Sequence, residues 1–157
     1  MKRVILLGVV FMSVLVSCKK AMETENSSSV SEKIIVEEPE SKECYRAILK
    51  KDTISLTLNI KNGQLSSGNL SYNFFEKDKN VGTIVGDFKG DTLTANYTFM
   101  SEGVSSVRQV AFLKKGNIYV EGYGDVVIDN NGKVTFKDTK QLKFDGKTVL
   151  SKVDCKL

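Results

Sequence analysis

The chain has no histidine and no tryptophan, and its 157 residues include a single proline and three cysteines. Without histidine it lacks the commonest general base at neutral pH and the usual transition-metal ligand. Cys18, Cys44 and Cys155 form no Cys-x2-Cys pair, so no metal site is expected and no cofactor is implied. Nucleophile-elbow, phosphate-loop and calcium-loop patterns are missing. No run of residues reads as a helix of ten or more. These absences favour a non-enzymatic protein.

What the chain does have starts at its N-terminus. Lys2 and Arg3 precede an apolar stretch over residues 4–16, broken by Gly8 and Ser13. That stretch is shorter than the ~20 residues a spanning helix needs and has the length of a secretory signal. It ends in Leu15-Val16-Ser17-Cys18, which resembles the bacterial lipobox. The resemblance implies that residues 1–17 are a lipoprotein signal peptide and that the Cys18 thiol receives diacylglycerol. Cleavage then leaves Cys18 as the first residue, with its amine open to further acylation. Two or three chains anchor firmly, because each buried CH2 contributes about 0.8 kcal/mol. Lys19 and Lys20 would add attraction to anionic headgroups. The bland alternative is an ordinary signal cleaved near Ser17, with Cys18 incidental.

Residues 18–43 read as the lipidated cysteine followed by a flexible acidic tether. Serines and Asn26 crowd its first half, and Glu37, Glu38 and Glu40 surround Pro39. Across residues 21–43, seven glutamates against Lys33 and Lys42 leave a net charge of 2 − 7 = −5. Such a segment buries too little to offset its ordering entropy, and as a coil it would span about 25–30 Å. Its one apolar cluster, Ile34-Ile35-Val36, is a candidate for an added edge strand or a groove-binding segment.

Composition changes at Cys44. Residues 44–157 carry 17 basic and 12 acidic side chains, a net +5, scattered rather than clustered. That pattern argues for solubility and against a nucleic-acid partner. Alternation with a period of two dominates. Ile54, Leu56, Leu58 and Ile60 share one face; so do Leu70, Tyr72 and Phe74; so do Leu93, Ala95, Tyr97 and Phe99. Arg108, Val110 and Phe112 oppose Val107, Ala111 and Leu113, which suggests a strand partly buried on both sides. Shorter strands are suggested by Ile118 with Val120, Val134 with Phe136, Leu142 with Phe144, and Val149 with Val153. Asn62-Gly63, Gly90, Gly116, Asn131-Gly132 and Asp145-Gly146 supply turns. The expectation is one all-β domain of about 8–10 short antiparallel strands. A small barrel, lipocalin-like or a similar meander, would remove exposed edges; a two-sheet sandwich is the alternative. Cys44 would open the first strand and Cys155 close the last. In a barrel those strands are neighbours, so a disulfide there would staple the seam, with two free thiols as the alternative.

Four residues are candidate binding groups. Met100 to Arg108 reads as a polar loop between two strong strands, where Glu102 and Arg108 would pair across the loop or point at a ligand. Glu121, between Val120 and Tyr123, has the parity to point inward with Arg108. A charged pair inside a barrel requires partners and would mark a pocket. The glycines of Gly122-Tyr123-Gly124-Asp125 read as a bulge or tight bend. Twelve Phe and Tyr fall in the domain, core by default, with a cavity lining as the alternative.

Anchor, polar tether and glycine-punctuated strands together resemble the small lipoproteins of the Bacteroidota. The likeness rests on Leu15-Val16-Ser17-Cys18, on Cys44, and on the strand pattern around the Ser101-Glu102-Gly103 turn. It implies attachment to the cell envelope at the outer membrane, and it transfers no active site. The expected function is a membrane-anchored module that binds a small apolar ligand, a glycan or an envelope protein. An inhibitor or adhesion module acting through the 100–106 loop is the alternative, and a hydrolase built on Glu102, Glu121 and Asp125 is a third.

Overall fold

Strict alternation places one face of each strand in water and the other in a common core. The structure, a computed structural model, describes residues 39–155. The signal, Cys18, and the tether up to residue 38 therefore lie outside the described residues. Seven antiparallel strands run up and down in sequence: β1 (Ser41–Leu49), β2 (Asp52–Lys61), β3 (Gln64–Asn73), β4 (Asn80–Lys89), β5 (Thr92–Ser101), β6 (Val104–Lys115) and β7 (Ile118–Gly122). A short hairpin follows, β8 (Val126–Ile128) and β9 (Val134–Phe136), then a single 3-10 turn at Thr139–Gln141 and a last strand, β10 (Val149–Val153).

β10 inserts between β7 and β1, antiparallel to both, and β5 pairs with β6. The result is a closed barrel of β1–β7 and β10, as the all-β expectation requires; the sandwich alternative is set aside by this closure. β8 and β9 attach outside, where β9 meets β6 in parallel at Val134 and Arg108. β10 is the least laddered strand of the barrel. Only Cys44/Val153, Tyr45/Lys152 and Arg46/Ser151 pair β1 with β10, whereas β1 and β2 pair from Ser41/Ile60 to Leu49/Asp52. The Cys44–Cys155 disulfide lies at that seam, with a Cα–Cα distance of 5.3 Å. Closing a loop of this length stabilises by about 4–5 kcal/mol in the chain-entropy view.

The middle of the barrel is filled. Leu56, Leu58, Leu70, Ile84, Leu93, Phe112 and Leu150 are fully buried there. Tyr45 and Tyr119 meet edge to face at 4.7 Å between ring centroids. The hairpin turns at Asn62-Gly63 and Glu102-Gly103 carry positive φ at both central residues, as tight two-residue connections demand.

The chain joins the sheet earlier than its polarity suggests. Ser41, Lys42 and Glu43, read as the end of the tether, belong to β1. Glu43 points inward and closes the end of the barrel at which β1 begins. Its Oε2 accepts hydrogen bonds from Tyr45 Oη at 2.7 Å and Lys114 Nζ at 3.2 Å, and its Oε1 accepts one from Lys152 Nζ at 3.2 Å. A carboxylate with three donors explains why an acidic residue occupies a core-parity position. Burial pushes the Glu43 carboxyl up. The hydrogen bonds from Tyr45, Lys114 and Lys152, with the Lys114 charge, outweigh that and leave it below the ordinary 4.5.

A carboxyl held low in the folded state contributes stability that is complete above pH 4.5 and is lost as pH falls through its lowered value. Chemical denaturation across the acid range should show wild type losing stability below about pH 4.5, and Glu43→Gln losing less over the same interval. Identical acid limbs for the two proteins would contradict this role.

Candidate functional site

At the other end of the barrel, polar and aromatic side chains from β3, β5, β6 and β7 converge with Tyr123 and Thr148. β7 supplies Glu121, which the ladder places opposite Phe112 on the inner face. The residue is 6% exposed. Its Oε1 accepts a hydrogen bond from Tyr72 Oη of β3, and its Oε2 accepts one from Tyr123 Oη at 2.8 Å. The Tyr123 and Thr148 hydroxyls lie 2.7 Å apart. The Glu121 amide donates to the Thr148 carbonyl at 3.0 Å, so the residue that leads into β10 grips the site twice.

These tyrosines stay protonated at any physiological pH and so remain donors. Burial, then the Glu121 charge, pushes Tyr72 far above the ordinary phenol range. Burial is also the main cause for Tyr123, which rises to about 12: the Thr148 hydrogen bond lowers it and Glu121 raises it.

Arg108 faces Tyr97 across the β5–β6 ladder and points inward with it. Its guanidinium carbon lies 4.8 Å from the Tyr72 ring centroid, 5.6 Å from Tyr97 and 5.5 Å from Phe99. Tyr97 and Phe99 stack at 4.6 Å, and Tyr72 and Phe74 at 5.8 Å. The cation thus sits on an aromatic floor, where each ring face attracts it. No carboxylate pairs with it among the described residues. Its Nε is buried without a hydrogen-bond partner, and so is Tyr97 Oη. Burial raises the Tyr97 phenol to about 12, against the lowering pull of Arg108.

Arg108, Glu121 and Tyr123 line one open cleft of about 360 Å³, together with Phe74, Val110 and Thr148 from the barrel. Val126, Val134 and Phe136 of the outer hairpin form its other wall. The hairpin is held there by the parallel bridge to β6 and by the Phe136 amide, which donates to Gln109 Oε1 at 3.0 Å. The glycines read as a bulge or tight bend make room for the segment that follows the 3-10 turn. A Cβ at Gly122 would run into the Phe144 ring, and one at Gly124 would crowd Leu142. Ala111, on the outer face of β6, is fully buried, in line with the two-sided burial expected of that strand.

The polar loop expected over residues 100–106 is a correction. β5 runs to Ser101 and β6 starts at Val104, leaving only Glu102 and Gly103 as a turn. Glu102 sits at its tip beside Glu76 and Asp78, in a separate depression. The structure therefore brings Arg108, Glu121 and Tyr123 together and leaves Glu102 outside. Asp125 lines a third depression with Lys137, Lys143 and Lys147, so the three carboxylates weighed for hydrolysis do not share one cleft. Tyr72 and Thr148 line the cleft and Tyr97 lies beneath Arg108, three partners that no local sequence signal marks. Among the described residues, no group of three Cys, Asp or Glu side chains is arranged to hold a metal ion. Comparison with protein-family models, with curated proteins and with solved structures finds no match to this chain.

Proposed function

We propose that the protein is an envelope lipoprotein, anchored through acylated Cys18, whose barrel is a binding module and not an enzyme. The cleft carries this reading. Fully buried side chains fill the middle of the barrel, and at one end an aromatic and aliphatic wall surrounds a few fixed polar groups. That combination is what small-molecule sites use: apolar lining for affinity and sparse polar groups for orientation. A volume of about 360 Å³ lies at the small end of such sites. β1 enters at the filled end, opposite the cleft, which suits a module presented on a tether. A small, largely apolar ligand fits this lining better than a glycan, for which exposed hydrogen-bonding groups would be needed along the walls.

Two measurements test the reading. Cells fed a clickable fatty acid should yield labelled wild-type protein and unlabelled Cys18→Ser; label on both, or on neither while other exported lipoproteins are tagged, contradicts the anchor. N-phenyl-1-naphthylamine, an uncharged probe that brightens in apolar surroundings, should fluoresce with the full chain in phosphatidylcholine nanodiscs above the level of empty discs. Val126→Asp, at an exposed position of the cleft wall, should return the signal to that level with an unchanged thermal transition. Equal signals from the two proteins would overturn the cleft as the binding site.

A further inference from the structure

The two charges in the cleft are not equivalent. Glu121 spends both carboxylate oxygens on hydroxyl donors, Tyr72 on one and Tyr123 on the other. Arg108 has ring faces beneath it and no acceptor: no carboxylate among the described residues pairs with it, and its Nε is buried and unpartnered. Opposite it on β5, Tyr97 is fully buried with its hydroxyl also unpartnered. Buried polar groups are nearly always hydrogen-bonded, so a cation that lines an open cleft without an acceptor marks a place for one. The aromatic floor stabilises the cation without using its N–H groups, which leaves the planar donor fork free.

We infer that the cleft takes a small amphipathic carboxylate, its head on the Arg108 guanidinium and its apolar body along Phe74, Val126, Val134 and Phe136. This rests on the reading of the cleft as a ligand site and adds the ligand's charge and polarity. A planar monoanion matches one guanidinium fork. A phosphate dianion would need further positive groups, and among the described residues lining the cleft none but Arg108 is basic. The apolar wall excludes a wholly polar anion.

The probes are octanoate, 1-octanol and octylamine, titrated calorimetrically against the full chain in phosphatidylcholine nanodiscs, with empty discs subtracted. Octanoate should bind roughly ten- to a hundredfold more tightly than octanol, the range for a hydrogen bond to a charged group. Arg108→Met should erase that preference, bringing octanoate down to the affinity of octanol. Arg108→Lys keeps a positive charge and guards against a folding defect in the methionine variant; without the planar fork it should weaken octanoate roughly two- to tenfold. Octanol binding as tightly as octanoate would overturn the anionic head while leaving the cleft a ligand site, and so would octylamine binding tightest. Failure of all three probes would overturn both the inference and the cleft reading beneath it.

Discussion

The barrel depends on where β10 goes. Seven strands in sequence make a curled sheet with two open edges, and only the insertion of Val149–Val153 between β7 and β1 turns it into a closed wall. Its ladder is short on both sides: three named pairs to β1, and Val149/Val120, Leu150/Tyr119 and Ser151/Ile118 to β7. What the backbone does not supply comes from elsewhere. Leu150 is fully buried in the core, Lys152 reaches Glu43, and Cys155 is bonded to Cys44 just beyond the strand. The cross-link acts where loop closure is most costly, between residues separated by 111 positions. The same strand carries the site. Thr148, immediately before it, fixes the Glu121 amide and meets the Tyr123 hydroxyl. A loose seam would therefore release the binding groups before it released the core.

Each end of the barrel holds a carboxylate, and the two are handled differently. At the filled end, Glu43 is neutralised by two lysines and a tyrosine, leaving nothing to offer a ligand. At the cleft, Glu121 has hydroxyl donors in place of cations, and the nearby cation rests on ring faces. Separating charges this way costs stability relative to a direct pair, because each loses water without gaining the other. Such unspent polarity at a concave, half-apolar surface is expected of a binding site more than of a packing solution.

Much of the fold was legible because the strands follow parity. Ile54 to Ile60 and Leu93 to Phe99 alternate cleanly, and their inward sets are the core. β4 was not legible: its inward positions include Gly82 and Gly86, so no apolar alternation shows. The reason is crowding, since a Cβ at either would strike the β5 backbone. β8 was missed because Val126-Val127-Ile128 is a continuous apolar triplet with all three exposed, and so shows no two-fold rhythm. The strand expected at Leu142 and Phe144 is only a bridge, in which Lys143 and Tyr123 exchange backbone hydrogen bonds while the flanking side chains cover glycines. For the site, parity alone turned Arg108 and Glu121 inward. Tyr72, Tyr97 and Thr148 required the register of strands distant in sequence, which no local pattern carries. A polar loop would let Glu102 and Arg108 pair or face one ligand; with both strands extended to a two-residue turn, they lie at different heights on the wall.

The most direct test of this account is hydrogen–deuterium exchange on the folded protein before and after selective reduction of Cys44–Cys155. If β10 is the closing piece, reduction should speed exchange first at amides of β10 and β7, the Glu121 amide among them, while β2 to β5 keep their protection. Uniform acceleration around the barrel, or unchanged protection at β10, would contradict it.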